Sequence, residues 1–508
     1  MNKKMLPDKL YTAEQVRALD RAAIETIPVD GFDLMKKAGR AAFRVLLRHW
    51  PGVKSLSVFC GGGNNGGDGL VIAGLAVQKG ISVELILLSD PNEYKKEAAF
   101  AWVWLTQLIK EAGTADTLLT IKAWKADDIF GDVIVDCLLG TGLTGDARGE
   151  YAEAIQAINH AEKPVLAVDI PSGLCSDTGR VLGCAVKAEQ TITFIGVKQG
   201  LLTGEAPNWV GQLEYDALDV PESVFNQVDY SCLRADWNQL KSSMPRRSRT
   251  AHKGVFGRVL IIGGDHGMAG AALMAAEAAC RVGAGLIYAA TRPEHVPAWV
   301  AHRPEIMVKG LDITQHVETM LEQVDIVVIG PGLGRQAWGQ QLFQKALFVN
   351  KPMVVDADAL NLLAQQAPSN IVPRDNWVLT PHSGEAARLL GCTIEEVEQD
   401  RFSTVSLLQK KYGGTIILKG AGTLIASPTS IYLINTGNPG MASGGMGDVL
   451  SGLLGGLLAQ KEIVNSEVAP IAVALHGEAA DLASKVVGEY SLLASDVINA
   501  IPELLREN

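Results

Sequence analysis

The chain has 508 residues, 47% hydrophobic and 20% charged, enough for two or three domains with sizeable buried cores. A formal net charge of −11 argues against nucleic acid or an anionic membrane as a main partner. Seven scattered cysteines without a CxxC pair are poor material for a disulfide framework or a zinc site, so a reducing cytoplasm is the expected home.

The N-terminal stretch MNKKMLPDKL lacks the apolar core of a signal peptide. In TAEQVRALDRAAIET, Thr12 and Gln15 form a capping box that opens a surface helix. From residue 55 to about 220, SLSVFC, ISVELILL, VIVDCLLG, KPVLAVDI and TITFIG read as strands covered on both faces. Helical segments between them imply βαβ units and a mainly parallel sheet. Around residues 221–253 the pattern stops, and a polar segment with Arg246, Arg247, Arg249 and Lys253 reads as a solvated linker. A second α/β unit starts at GRVLIIGG and runs through VDIVVIGPGLG, KPMVVDADAL, NWVLTPHSGE and GTIILKGAGTLIAS to a helical stretch from Gly447. The apolar-looking run GDVLSGLLGGLLAQ is too short and too broken for a membrane span.

Gly61, Gly63 and Gly66 satisfy a G-x-G-x-x-G pattern, but an ionised Asp68 among them would repel a pyrophosphate. Glu84, about twenty positions on, lies inside its strand rather than at its end. The glycines are better read as a tight loop with bare backbone amides. In open parallel sheets, ligands bind beyond the carboxyl ends of strands. There stand Asn64, Asn65 and Asp68, then Asp136 before GTGLTGDARG, then Asp169 and Ser172 in VDIPSGL. Asn65, Asp136 and Ser172 offer an amide oxygen, one carboxylate and a hydroxyl, a set that suits K⁺ better than Mg²⁺. An aspartate at a strand end also serves as a plain helix cap; three converging loops weigh against that for the set.

In the second half, Gly444, Gly445 and Gly447 precede an apolar helical run, so backbone N–H groups at a helix N-terminus can face a phosphate. Asp448 at that terminus is either a cap or a general base beside an anion hole, and the glycine density favours the base. LKGAGT carries Lys419 on a nucleotide-phosphate loop, GPGLG at 330–334 is similar, and His382 lies in the same strand-end layer.

GNNGGDG, DCLLGTGLTG and VDIPSGL, in this order, resemble the NAD(P)H-hydrate epimerase family over residues 12–222. The resemblance implies a Rossmann-like fold. It implies contacts to the hydrated nicotinamide nucleotide from Asn64, Asn65, Gly66, Gly67 and Asp68, from Gly140, Thr141, Gly142, Leu143, Thr144, Gly145 and Asp146, and from Asp169. It also implies K⁺ on Asn65, Asp136 and Ser172. Lys36 stands where an acidic residue is frequent. Asp169 is the candidate for acid/base or charge-stabilising work.

HKGVFGRVLIIGG, GMAGAAL, GPGLG, DADAL, TPHSGE, KGAGT and GGMGD resemble the ribokinase-like superfamily, and more narrowly the ADP/ATP-dependent NAD(P)H-hydrate dehydratase, over 236–505. That likeness implies Ala271, Gly332, His382 and Asp448 facing the hydrate. It implies Lys419, Gly420, Ala421, Gly422, Thr423 and Gly447 on the adenine nucleotide, with Mg²⁺ accompanying ADP. Ser383 and Met446 replace a frequent Pro and Thr.

The expected architecture is an N-terminal Rossmann-like α/β domain, 1–225, followed by a C-terminal ribokinase-like α/β domain, 236–508. The implied reactions are consecutive: epimerisation of NAD(P)H hydrate, then ADP-dependent dehydration of the S form to NAD(P)H, giving AMP and phosphate. Hydrates and ADP are the expected ligands, nucleic acid and membrane are not, and a homo-oligomer is compatible with the sequence. The rival reading is a C-terminal kinase for a small vitamin alcohol with an N-terminal nucleotide-binding module.

Overall fold

Continuous Val, Ile and Leu runs bounded by glycine and asparagine become strands when helices cover both faces, and each half of this chain does so. The computed structural model describes residues 6–27, 30–112, 118–125, 129, 131–367 and 372–506. They fall into two compact units, Met1–Leu233 and Arg234–Asn508.

In the first unit a short strand β1 (Lys9–Tyr11) leads into helix α1 (Ala13–Thr26), which Thr12 and Gln15 open with the expected capping box. After α2 (Gly31–His49) comes the main sheet. Its strands are β2 (Ser55–Cys60), β3 (Ser82–Leu87), β4 (Leu119–Ala123), β5 (Val133–Cys137), β6 (Val165–Val168) and β7 (Gln190–Phe194), with β9 (Gln212–Asp216) after the two-residue β8 (Val197–Lys198). They lie in the order β4-β3-β2-β5-β6-β7-β9, every neighbouring pair parallel. The order reverses between β2 and β5, and the carboxyl ends there flank the crevice where such sheets bind ligands. The sequence reading misses β4 and β9, the two edges. Edge strands are half-solvated, so LTIKA and QLEYD read as polar rather than as buried runs.

Helix α3 (Asn64–Gln78) is buried along nearly its whole length. Its glycines let it sit directly on the sheet: a Cβ on Gly66 would stand 1.9 Å from the Gly61 carbonyl oxygen. Glu84 is mid-strand, paired with Lys122 (2.8 Å) and accepting from Ser57 Oγ (3.1 Å), so it has a local role. β1 pairs in parallel with β8, Leu10 opposite Val197 and Tyr11 opposite Lys198, and antiparallel with β10 (Cys232–Arg234).

Part of the segment read as a solvated linker is packed instead. Val224 is buried in the first unit's core, and Asp236 with Gln239 caps a helical turn whose Trp237 is buried in the second. Arg246, Arg247, Arg249 and Lys253 are all exposed as expected, and Arg247 lies over the Phe256 ring at 3.9 Å.

The second unit is built on nine consecutive strands of a sheet among the described residues. Its strands are β11 (Arg258–Ile262), β12 (Leu286–Thr291), β13 (Met307–Gly310), β14 (Ile326–Ile329), β15 (Met353–Val355), β16 (Trp377–Leu379), β17 (Thr415–Leu418), β18 (Thr423–Ala426) and β19 (Ile431–Ile434). Order β13-β12-β11-β14-β15-β16-β17 is parallel, and β17-β18-β19 closes it as an antiparallel meander. Residues 419–422 are therefore a hairpin turn. The helix Met446–Leu458 packs on Ala269–Arg281 so closely that a Cβ on Gly452 would meet the Ala275 carbonyl oxygen at 2.0 Å. No helix among the described residues is long and apolar enough to cross a membrane.

Candidate active sites

At the switch point of the first sheet lies a cavity of about 690 Å³. Asn64, Asn65, Asp68, Asp169 and the run 140–144 line it. Gly66 and Gly67 do not; they face Gly61 and Met35 inside the fold. Gly145 and Asp146 also lie outside the lining. Asp136 and Ser172 sit beneath it, both wholly buried.

Those two side chains lock together. Ser172 Oγ donates to Asp136 Oδ1 (2.6 Å), its N–H donates to Asp136 Oδ2 (2.8 Å), and its Oγ accepts from the Leu139 N–H (2.8 Å). Asn65 Nδ2 donates to the Leu139 carbonyl (3.1 Å), so all three residues meet at one backbone segment. Burial pushes the Asp136 carboxyl up to about 6 against the pull of the Ser172 and Leu138 hydrogen bonds. Asn65 Oδ1 is buried without a hydrogen-bond partner. A buried carboxylate beside an orphaned amide oxygen is an arrangement a weakly hydrated cation would satisfy.

Asp169 has a left-handed backbone, φ 70°, rare for a residue with a side chain and typical of constrained functional positions. Its Oδ1 pairs with the Lys198 ammonium, which also donates to Thr193 Oγ1 (2.9 Å). Burial, then the Asp169 and Asp20 charges, hold the Asp68 carboxyl well above the usual range, with Lys198 pulling the other way. That environment disfavours the ionised form of Asp68, the form that would repel a pyrophosphate. Sequence reasoning misses Asp20 and Lys198. Lys198 carries a signal, a lysine ending an apolar strand run; Asp20, on an amphipathic helix, carries none.

In the second unit the hub is Lys419, whose Nζ binds Asp356 Oδ1 (2.9 Å) and lies 3.8 Å from Glu385 Oε2. Asp356 ends β15, wholly buried, accepting also from Thr380 Oγ1 (2.7 Å) and Ser451 Oγ (2.7 Å). Burial alone would raise its carboxyl; Lys419 and the two hydroxyls hold it below the usual range. A Cβ on Gly447 would stand 3.3 Å from Lys419 Nζ, which puts the ammonium at the glycine-rich helix N-terminus.

Asp448 occupies the first turn of that helix, but the N-cap is Gly445, at φ 92°, with no side-chain cap bond. The cap reading of Asp448 is therefore wrong. Burial and the Asp356 charge push its carboxyl up to about 7, Lys419 opposing and Asp358 adding to the rise. A carboxyl that titrates near neutrality beside backbone amides and an ammonium can take a proton while the others hold an anion.

His382 is an N-cap: its Nδ1 accepts from the Gly384 N–H (3.0 Å) and the Glu385 N–H (3.4 Å). Burial, Lys419 and Arg388 hold its ring below the usual range, so it is neutral with the proton assigned to Nε2. Gly332 packs on Ala271, a Cβ there meeting the Ala271 Cβ at 3.1 Å, and the Gly334 N–H donates to Asp358 Oδ2 (3.0 Å). Thr423 Oγ1 donates to the Gly420 carbonyl (3.0 Å), closing the loop that contains Ala421 and Gly422. Arg401, buried, clamps that loop by donating to the Leu418 and Lys419 carbonyls (both 3.2 Å). Asp356, Glu385 and Arg401 are absent from the sequence reading. The first two stand in DADAL and TPHSGE, where the strand-end rule applied to Asp136 would have found Asp356.

Two family descriptions match the two units: residues 31–200 fit "YjeF-related protein N-terminus", and 259–503 fit "NAD(P)H-hydrate dehydratase". The bifunctional NAD(P)H-hydrate repair enzyme of Coxiella burnetii is 46% identical over 96% of this chain and 97% of its own. The chain belongs to the bifunctional NAD(P)H-hydrate repair enzyme family. The repair enzyme of Escherichia coli K12 is 43% identical over 99% of this chain and 95% of its own. A solved ribokinase-like superfamily protein of Enterococcus faecalis, 33% identical, covers 54% of this chain and 95% of its own, with a TM-score of 0.50. The family resemblance drawn from motifs and the expected two-part α/β architecture are thus borne out.

Proposed function

We propose that the first unit interconverts the R and S epimers of NAD(P)H hydrate, and that the second dehydrates the S epimer with ADP, yielding NAD(P)H, AMP and phosphate. The observation that carries the reading is the grouping of Lys419, Gly447 and the uncapped carboxyl of Asp448 at one helix N-terminus, in a chain whose family match spans both units.

In the second site, Asp448 accepts the proton of the C6 hydroxyl as its oxygen forms a bond to the terminal phosphorus of ADP. AMP leaves, held by Lys419 and the amides of Gly445–Gly447. The C6–O bond of the phosphate ester then breaks, pushed by the N1 lone pair, and loss of a C5 proton completes the C5–C6 double bond. Neutral His382 is suited to donating a hydrogen bond from Nε2 to the hydrate, with Ala271 and Gly332 packed against it. Mg²⁺ enters with ADP, because it binds mainly through phosphates and retained water.

In the first site, Asn65, Asp136 and Ser172 would hold K⁺. The orphaned Asn65 Oδ1 and the buried Asp136 carboxylate fit that ion, which when bound would neutralise Asp136 and pin three loops. Asp169, fixed by Lys198, moves the proton at the C6 hydroxyl. Asn64, Asn65, Asp68 and residues 140–144 contact the hydrate, Gly66 and Gly67 serve the packing beneath them, and domains 1–225 and 236–508 each carry one reaction, in a cytoplasmic enzyme that is free to self-associate.

The test is incubation with mixed R and S hydrates, with and without ADP, following nicotinamide absorbance. Complete conversion to NAD(P)H with ADP, faster than the spontaneous epimerisation rate allows, is expected. A stable phosphorylated product in place of free phosphate would instead identify a small-alcohol kinase.

A further inference from the structure

Asp20 reaches the first cavity from α1, whose buried stripe is Val16, Leu19 and Ala23. The strand before that helix fixes its place: Tyr11 of β1 lies opposite Lys198 of β8, and the Ala13 N–H donates to Asp177 Oδ1 (2.6 Å). One strand pairing therefore positions both the Asp20 helix and the buried lysine. The Lys198 side chain is 1% exposed, yet it lines the cavity with its ammonium on Asp169.

Around this single ammonium stand three carboxyls from three elements: Asp20 on α1, Asp68 on α3 and Asp169 after β6. One buried cation offsets one carboxylate, and the remaining two cannot both ionise at close quarters without large cost. Environments that push neighbouring carboxyls apart assign acid and base roles. An epimerisation through a planar centre uses proton donors and acceptors for groups leaving and arriving on opposite faces.

We propose that Asp20 is a second acid/base group of the first site, working opposite the Lys198-held Asp169; the proposal rests on the epimerase reading above. The Asp20 carboxyl gives its proton to the C6 hydroxyl. The C6–O bond breaks with its electron pair on oxygen, which departs as water, while the N1 lone pair forms an N1=C6 bond. Water then adds to the opposite face of C6, the N1=C6 pair returning to nitrogen, and its surplus proton passes to Asp169. The reverse turnover runs these transfers backward, and exchange with water in the open cavity resets the pair.

The charged groups facing Asp20 are Arg17 and Arg21 on its own helix, Lys198, Asp169 and Asp68. Burial pushes its carboxyl up to about 6, Lys198 pulling it down and Asp169 pushing it further up. Asp20 is thus able to give and take a proton near neutral pH.

The experiment follows conversion of pure S hydrate to R by the full chain in K⁺ buffer, with the spontaneous rate subtracted. Asp20→Asn is expected to lose about 10²-fold or more of the rate, with hydrate binding and ADP-dependent dehydration of S hydrate retained, and Asp20→Glu to recover part of it. The parent's rate is expected to fall about tenfold per pH unit on the alkaline side of roughly pH 6, as the donor loses its proton. Asp20→Asn within about threefold of the parent overturns the proposal. So does a parent profile flat from roughly pH 6 to 9, which decides the matter even should the variant fail to fold. A parent no faster than buffer overturns the epimerase reading itself, and this proposal with it.

Discussion

Replacing Asp448 by Asn should cripple the second reaction and stabilise the unit that performs it. The carboxyl sits at about 7 in the folded protein against an ordinary 3.8, and burial is the leading cause. A folded-state value above the unfolded one means that the unfolded chain deprotonates first. The group therefore costs nothing below roughly pH 4, where it is protonated in both states; the cost accumulates between roughly pH 4 and 7 and is fully present above that. The ceiling is ~4 kcal/mol at 1.36 kcal/mol per pH unit. Partial exposure and the lost attraction of a carboxylate to a helix N-terminus bring the expected gain from Asn down to ~1–2 kcal/mol. For a unit of this size that is a rise in Tm of about 2–8 °C at pH 8, vanishing near pH 4. Turnover of S hydrate with ADP should fall by roughly 10²–10⁴-fold, the usual scale for a general base. ADP affinity should hold, because Lys419 and the helix amides remain. In the parent, dehydration should climb about tenfold per pH unit below 7 and level off above it. Calorimetric melts of both proteins at the two pH values, ADP titration and single-turnover dehydration read all of this. Near-parent turnover in Asp448→Asn would refute the base assignment, and a Tm lowered at pH 8 would refute the electrostatic account.

Asp136→Ala should slow epimerisation and abolish its response to K⁺, leaving dehydration of pure S hydrate unchanged; equal epimerisation rates in K⁺-free and K⁺-containing buffer would remove the ion from the site. Lys419→Met strands the wholly buried Asp356 carboxylate, so denaturant melts should show a loss of ~3–5 kcal/mol, and ADP binding should weaken at least tenfold. Gly66→Ala forces a methyl to 1.9 Å from the Gly61 carbonyl oxygen, so the first unit should lose ~1–3 kcal/mol or more and its epimerase rate, with dehydration intact. Polypeptides ending at Leu233 and starting at Arg234 should each fold and keep one reaction. Loss of both reactions would mean that the units depend on each other.

Much of the architecture is written locally. A run such as SLSVFC followed by a glycine-rich turn and a helix commits the chain to βαβ winding, and parallel winding commits the loops carrying Asn65, Asp136 and Asp169 to one edge of the sheet. Motif and strand-end position together are therefore enough to find the loop residues at the strand ends of the first cavity and the glycine-rich terminus that bears Asp448. What they could not supply is pairing across the fold. Whether Asp448 caps its helix depends on where its carboxylate points, and the backbone gives that place to Gly445. That His382 spends Nδ1 on its own helix follows from side-chain geometry rather than from the letters TPHSGE. Asp20 and Lys198 meet only because β1 pairs with β8 across nearly the whole first unit. The partners of Lys419 lie 63 and 34 positions away in sequence, one just after a strand and the other in the first turn of a helix. A carboxyl's protonation depends on burial and on the charges that tertiary packing brings to it, and neither quantity exists until the chain has folded.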